Sequence, residues 1–371
     1  MALNQDESDS RSDSSGNCPM MRRCLELAQR ARGQTAPNPM VGAVVVKDGQ
    51  IVGEGFHPQA GQPHAEVFAL REAGDRAAGA TVYVNLEPCS HFGRTPPCAD
   101  ALIAAGVARV VVGMVDPNPQ VAGRGLEKLR AAGIAVTVGV EEAACQALNE
   151  PFVYRMTHQK PLGILKYAMT LDGKIATTTG HSAWVTSPAS RQVVHDLRAG
   201  CEAVVVGGNT VRRDNPLLTS HGQGHNPLRV VMSRHLDLPA DAKLWQTDET
   251  PTVVFTETGA NPDVQQHLQK LGVEVVEQAD LTPAAVMANL YTRGAMAVLW
   301  ECGGTLAAKA IADGSIQKVL AFIAPKIIGG AAAPSPVGDL GLTLMTEAIA
   351  LERVQWRAIG PDLLIEGYLQ R

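Results

Sequence analysis

His64 and Glu66, then Pro88-Cys89, then Cys98, are the residues of this chain best able to do chemistry together. One imidazole and two thiolates make three ligands for zinc and leave the fourth tetrahedral position to water, as in catalytic rather than closed structural sites. Zinc brings the pKa of such a water down to about 7. Glu66, at the start of a predicted helix, can take the water's proton and hand it to a leaving amine without binding metal itself. That is hydrolytic deamination. Singly, each residue has a plainer reading, because buried thiols pack as small apolar groups and core histidines are commonly hydrogen-bonded. The ordered set favours a metal. His91, between the cysteines, offers a fourth ligand that would make the site structural, although a closed site has no use for the Glu66 carboxylate. Asn38, between Pro37 and Pro39, either meets a heterocycle edge or bonds its own turn.

The second half holds a weaker set. Lys166 sits inside the apolar run 162–169, where it either snorkels to solvent or serves a site. Ser187 and Pro188 open a predicted helix carrying Arg191, His195 and Arg198. These basic residues either meet a phosphate or simply favour the helix dipole. The apolar runs ending at Val206 and Trp300 each lead into paired glycines, Gly207-Gly208 and Gly303-Gly304, and then into helical patterns. Such junctions offer N–H groups to anions, although paired glycines after a strand are often only a turn. Neither matches the G-x-G-x-x-G dinucleotide fingerprint, and there is no Gly-Lys-Ser/Thr nucleotide loop.

These residues need a scaffold, and composition bounds it. The chain has 371 residues, 45% hydrophobic and 19% charged, which suits two globular domains. A net charge of -5 and 4% aromatic residues weigh against a nucleic-acid channel and favour a small-molecule substrate. The seven cysteines are spread along the chain without a secretory signal, so a disulfide framework is not expected and the cytoplasm is. No apolar run is long enough to span a bilayer. Residues 1–19, rich in serine and acids, read as a disordered tail. Helical spacing follows over 20–32, and a hairpin with strands 41–47 and 51–56 turns at Asp48-Gly49. Further alternation predicts helix from 64 to 73, strand 81–85, helix 98–105, strand 107–115, helix 126–132, strand 134–138 and helix 141–148. Pro151 and the polar stretch 157–161 mark a boundary, giving domains 20–150 and 151–371. Strand candidates beyond it are 162–169, 203–206, 228–232, 252–255, 297–299 and 319–324. Both halves are α/β.

His-Ala-Glu and Pro-Cys match the general base-deaminase signature, but the second cysteine comes later than its usual Cys-x-x-Cys spacing. The strings PNPMVGAVVVKDG, PHAEVFAL, VNLEPCSHFGRTPPC and DPNPQVAGRG, with LDGKIAT, GHSAWVTS, RRDNPLLT, ECGGTLAA and APKIIGG, resemble the bifunctional riboflavin-biosynthesis deaminase/reductase family over nearly the whole chain after the tail. That family uses the longer cysteine spacing seen here. The resemblance implies a cytidine-deaminase-like three-layer domain followed by an α/β domain like dihydrofolate reductase. It implies His64, Cys89 and Cys98 as Zn2+ ligands and Glu66 as proton shuttle. It further implies Ala168, Trp184, Thr210, Asp214, Gly303, Gly304 and Thr305 at an NADPH site, with Lys166, Ser182, Arg198, Leu218 and Glu301 toward a phosphoribosyl pyrimidine. The implied reaction removes the ring amine of the diaminopyrimidinone and then reduces its ribosyl group to ribityl, in a homo-oligomer. Two departures stand out. Thr219-Ser220-His221 stands where the family often has an arginine, and Ser233-Arg234 where Asp-Ser is common. Three other readings compete: a deaminase of nucleic acids, a scaffold retaining structural zinc, and a chain whose deaminase half alone is active.

Overall fold

The computed structural model describes residues 14–91, 96–119 and 121–370. It divides into a first unit ending at His158 and a second beginning at Gln159. The first unit opens with α1 (Ser14–Gln29), the hairpin β1 (Gly42–Lys47) and β2 (Gln50–Phe56), and α2 (Ala65–Ala73). It continues through β3 (Thr81–Leu86), α3 (Cys98–Ala104), β4 (Arg109–Met114), α4 (Arg124–Ala131) and β5 (Ala135–Val138). It closes with α5 (Glu142–Leu148) and α6 (Glu150–His158). The strands form one sheet in the order β2-β1-β3-β4-β5, antiparallel as far as β3 and parallel beyond it.

The turn at Asp48 and Gly49 takes φ of 50° and 75°. Two positive φ values make a type I′ turn, whose twist suits paired strands and which Asp-Gly adopts readily. Val44, Val45, Val82, Val84, Val110 and Val112 are all fully buried. Consecutive rather than alternating burial means that helices cover both faces of the sheet. α2 lies directly on β2, since a Cβ at Gly53 or Gly55 would fall 2.2 or 2.4 Å from the carbonyl oxygens of Ala69 and Ala65. That close approach fixes the helix start at which His64 and Glu66 stand.

The second unit contains β6 (Leu162–Thr170), α7 (Pro188–Ala199), β7 (Ala203–Gly207), α8 (Gly208–Asp214) and β8 (Leu228–Met232). There follow β9 (Thr252–Glu257), α9 (Pro262–Lys270), β10 (Glu274–Gln278), α10 (Pro283–Thr292) and β11 (Ala297–Trp300). The last elements are α11 (Gly304–Ala312), β12 (Lys318–Ala324), β13 (Leu351–Ile359) and β14 (Asp362–Leu369). Among the described residues they build a sheet in the order β10-β9-β8-β7-β11-β6-β12-β14-β13. Pairing is parallel as far as β12, and β14 and β13 add antiparallel strands at one edge. Leu165, Val205, Val253, Phe255 and Trp300 meet in its core.

Two sequence-based boundaries need correction. The expected tail 1–19 is helical from Ser14, because Asn17 is buried and accepts the Tyr83 hydroxyl at 3.1 Å, while Met21 and Cys24 are fully buried beyond Pro19. Residues 1–13 of that tail lie outside the described residues. The domain boundary falls after His158 rather than after Glu150, because Pro151 sits in the first turn of α6 and does not interrupt it. A proline there loses no helical hydrogen bond.

Candidate active sites

His64 is the N-cap residue of α2, with extended backbone, and Glu66 lies in the first turn. Cys89 follows β3, and Cys98 is the first residue of α3, whose backbone N–H donates to the Cys89 Sγ at 3.3 Å. His64 Nδ1 lies 3.5 Å from the Cys89 sulfur and 3.3 Å from the Cys98 sulfur. The three potential ligand atoms fall within 4.8 Å of one another, and among the described residues they form the one group that could hold a metal. His91 lines the adjoining cavity but stands outside the group.

The electrostatics suit a cation. The Cys98 thiol and then His64, both hydrogen-bonded to Cys89, pull the Cys89 thiol down to about 4 against the effect of burial. The Cys98 thiol is pushed up, first because it gives its proton to that hydrogen bond and then by burial. One proton therefore stays on the pair unless a divalent ion displaces it. Glu66 is buried, and its Oε2 has no hydrogen-bond partner among the described residues. An orphaned buried carboxylate oxygen is costly unless something polar occupies the space it faces. Burial, then the charge of Cys89, raises Glu66 to about 6. Donor set and orphaned oxygen both fit a metal carrying a water.

A cavity of about 570 Å³ opens onto this cluster. Asn38 lines it, and its Nδ2 contacts His57 Nε2 at 3.0 Å, while His57 Nδ1 contacts the Pro63 carbonyl at 3.0 Å. His57 is buried, which lowers its pKa, so it is neutral at pH 7, donating from Nδ1 and accepting from Asn38. Asn38 also donates its backbone N–H to Thr35, so it belongs both to the turn and to the cavity. Sequence reasoning missed His57, Asp116 and Asn118. Asp116 and Asn118 belong to the quoted string DPNPQVAGRG, the one signal that could have found them. Burial raises Asp116 to about 6, against a hydrogen bond from the Asn118 N–H. Also missed was Glu87, which accepts the N–H groups of Asp116, Gly123 and Gly125 at 3.2, 2.9 and 2.9 Å and so ties down the loop between β4 and α4.

The second unit has a cavity of about 730 Å³, within the range of small-molecule sites. It gathers Lys166, Ala168, Ser182, Trp184, Arg198, Thr210, Asp214, Leu218 and Glu301, all expected from the sequence. Gly303, Gly304 and Thr305 do not line it but follow Glu301 and Cys302, which do, at the start of α11. At its centre Arg198 donates Nε to Glu301 Oε1 at 2.6 Å and Nη2 to Oε2 at 3.0 Å, and Lys166 Nζ reaches Oε2 at 3.5 Å. Burial would raise Glu301, but Arg198 and then Lys166 hold it at about 2. Lys166 is thus recruited by a carboxylate rather than released to solvent. Ser182 Oγ donates to Asp214 at 3.1 Å, and the Arg191 guanidinium lies 4.4 Å above the Trp184 ring. Trp184 is 70% exposed, so its face is available to a planar ligand such as a nicotinamide. Of the two departures, His221 lines this cavity, whereas Arg234 pairs with Glu257 at 3.5 Å.

Comparison with known proteins assigns both units. Residues 15–114 match the family model of the cytidine and deoxycytidylate deaminase zinc-binding region, and residues 161–365 match the RibD C-terminal domain. The molecule is therefore of the class that joins a zinc-binding deaminase domain to a reductase domain, the latter implying a nicotinamide cofactor. The chain belongs to the RibD family of riboflavin biosynthesis proteins. It is 64% identical over 350 residues to riboflavin biosynthesis protein RibD of Synechocystis, covering 94% of this chain and 95% of that one. Its fold matches RibD of Acinetobacter baumannii with a TM-score of 0.87 at 38% identity, over 96% of this chain and 99% of that one. It also matches the diaminohydroxyphosphoribosylaminopyrimidine deaminase/5-amino-6-(5-phosphoribosylamino)uracil reductase of Thermotoga maritima with a TM-score of 0.85 at 37% identity, over 96% and 99%. Among the described residues no helix is long and apolar enough to cross a membrane.

Proposed function

We propose that this chain carries out two successive steps of riboflavin biosynthesis, deaminating the diaminopyrimidinone ribose phosphate to the uracil and then reducing its ribosyl group to ribityl with NADPH. The observation that carries the reading is Glu66, buried beside the His64, Cys89 and Cys98 triad with one carboxylate oxygen that has no partner among the described residues. A scaffold with structural zinc has no use for that oxygen, and a net charge of -5 disfavours a nucleic-acid substrate.

Zinc held by His64, Cys89 and Cys98 supplies Lewis-acid activation of a water molecule. Glu66 Oε2 takes a proton from the attacking water and returns it to the ring amine as ammonia leaves. Burial favours the protonated form of this carboxyl more than water would, which suits a group that must both take and give a proton. Asn38, Asp116 and Asn118 offer the polar edges that would orient the pyrimidine in the cavity.

NADPH would supply the hydride for C1′ of the ring-opened, imine form of the sugar, with a proton from solvent going to the nitrogen. Ala168, Trp184, Thr210 and Asp214, which line the second cavity, would hold the cofactor there, together with the Gly303 to Thr305 junction that follows the lining residues Glu301 and Cys302. Lys166, Ser182, Arg198, Leu218 and Glu301 face the phosphoribosyl group. Seven cysteines without a disulfide support the cytoplasm as its compartment. Exposed Leu344, Met345 and Trp356, at 61, 89 and 75%, support self-association.

One assay tests the reading: purified protein with the diaminopyrimidinone ribose phosphate, following ammonia release and NADPH oxidation together, with and without a zinc chelator. Both signals are expected, with chelation stopping ammonia release. Ammonia without NADPH oxidation would remove the second step, and neither signal would remove the whole reading.

A further inference from the structure

The backbone just before α7 is held from outside itself at successive residues. Lys326 Nζ, from the loop after β12, donates to the Trp184 carbonyl at 2.9 Å and to the Val185 carbonyl at 2.8 Å. Arg191 Nη1 donates to the next carbonyl, that of Thr186, at 2.9 Å, while its guanidinium covers the Trp184 ring. The Ser187 N–H then donates to Asp362 at 2.8 Å. Burial would raise the Asp362 carboxyl, but bonds from Ser190 and Ser187, and then the charge of Lys326, hold it below the usual carboxylate range. Hydrogen bonds with one charged partner are roughly twice as strong as those between neutral groups, so these cations give an irregular segment a defined course.

Lys326 is itself fixed. Its carbonyl accepts the Leu171 N–H at 2.8 Å, and Asp172 accepts the N–H groups of Ile328 and Gly329 at 3.3 and 2.7 Å. The loop after β12 is thereby bound to the turn after β6, and the parallel pairing of these two strands brings both to one end of the sheet. A smaller cavity of about 270 Å³ is lined in part by Lys326, Ile327 and Ile328 and by residues 181–185. Residues 181–185 also line the cavity of about 730 Å³, so the segment borders two open spaces. A wall placed in this way gains little from packing, and the Trp184 side chain, 70% exposed, adds little more. Its position therefore depends on the hydrogen bonds that its backbone receives.

We infer that Lys326 is a positioning residue for NADPH binding, which acts by holding Trp184 where it bounds the cofactor site. This rests on the reading of the second unit as an NADPH-dependent reductase with Trp184 at that site. Lys326 does not border the larger cavity and touches no reacting atom. Without it, residues 184 and 185 spend time in arrangements in which the site is not formed, and apparent affinity falls in proportion to the fraction that is formed. The phosphoribosyl side does not lean on Lys326, because Ser182 donates to Asp214, and Glu301 is paired with Arg198 and Lys166. A change at Lys326 is therefore selective for the cofactor.

Calorimetric titration of the full-length enzyme with NADPH, in the absence of substrate, tests this. K326M, which keeps the side-chain length and removes its donors, should weaken NADPH binding by about tenfold or more, the scale of losing charge-assisted bonds. K326R, which retains the charge and has donors enough for two carbonyls, should restore most of the affinity. In steady-state reduction of the deaminated substrate, K326M should raise the KM for NADPH and leave kcat and the substrate KM within about twofold. Trp356 is the other exposed tryptophan, so in a W356F background time-resolved fluorescence anisotropy of the cofactor-free enzyme follows Trp184 against two buried tryptophans. K326M should make that indole more mobile. Unchanged anisotropy, equal loss of affinity in K326M and K326R, or a rise in substrate KM as large as that for NADPH would overturn the inference. NADPH binding insensitive to K326M would remove this inference alone, whereas a wild type that binds no NADPH would remove the reductase reading and this inference with it.

Discussion

Glu87→Gln should loosen the wall of the first cavity without touching a zinc ligand. The Glu87 carboxylate accepts three backbone N–H groups, those of Asp116 and Gly123 on Oε2 and that of Gly125 on Oε1, at 3.2, 2.9 and 2.9 Å. A glutamine keeps one acceptor oxygen and turns an NH2 group toward at least one of these donors. The best compromise keeps the Asp116 and Gly123 bonds and leaves the buried Gly125 N–H facing another donor. Hydrogen bonds to a charged acceptor contribute about 1.5–3 kcal/mol each, so losing one and neutralising the others should destabilise the first unit by about 2–4 kcal/mol. The four tryptophans, Trp184, Trp245, Trp300 and Trp356, all lie in the second unit. In urea, tryptophan fluorescence therefore follows the second unit, while far-ultraviolet circular dichroism follows both. The variant should lower the midpoint of the circular-dichroism component that fluorescence does not see, and leave the fluorescence midpoint in place. It should also slow ammonia release, because Asp116, Asn118 and Val121 line the cavity from the tethered loop. An unchanged first-unit midpoint, or a shift confined to the fluorescence transition, would refute the reasoning.

Glu66→Gln should retain zinc at one per chain by metal analysis while ammonia release falls by about 10²-fold or more, the usual contribution of a positioned acid–base group. Cys89→Ser should lose both zinc and ammonia release, yet still oxidise NADPH when given the deaminated substrate; loss of both activities would mean that the metal holds more than its own unit. Glu301 gives a pH prediction whose sign follows from its depressed pKa. Its ionisation stabilises the second unit above pH 4.5, and that stabilisation is lost as pH falls toward about 2. The displacement from 4.5 to about 2 corresponds to on the order of 3 kcal/mol. Tryptophan-monitored denaturation should show the loss in the wild type between these pH values, and Glu301→Gln should lack that component.

Chemistry that depends on neighbours in the chain was readable early. The Asp48-Gly49 turn, the start of α2 at His64 and Glu66, and the N-cap of α7 at Ser187 with Pro188 behind it are local, because backbone conformation at such points follows from the residues themselves. The strands β10, β13 and β14 were not foreseen. β10 has charged or polar residues at positions 274, 277 and 278, and β13 is exposed along most of its length, so neither shows the burial pattern of an inner strand. Pro151 was misread as a break because proline marks both ends and beginnings of helices, and only the packing of α6 with the first unit decides which.

By itself, then, the sequence determined which ligands, which acid and which cations this protein possesses, since residue type and short spacing carry that information. Tertiary structure alone decided which of them meet. Strand order puts β11 between β7 and β6, so that Glu301, just past β11, receives Lys166 from β6 and Arg198 from the helix before β7. The reach of Lys326 to the Trp184 and Val185 carbonyls, and the hold of Glu87 on residues up to 38 positions away, arise the same way. Such contacts depend on how the sheet orders distant segments, and a sequence read along its length contains no local signal for that order.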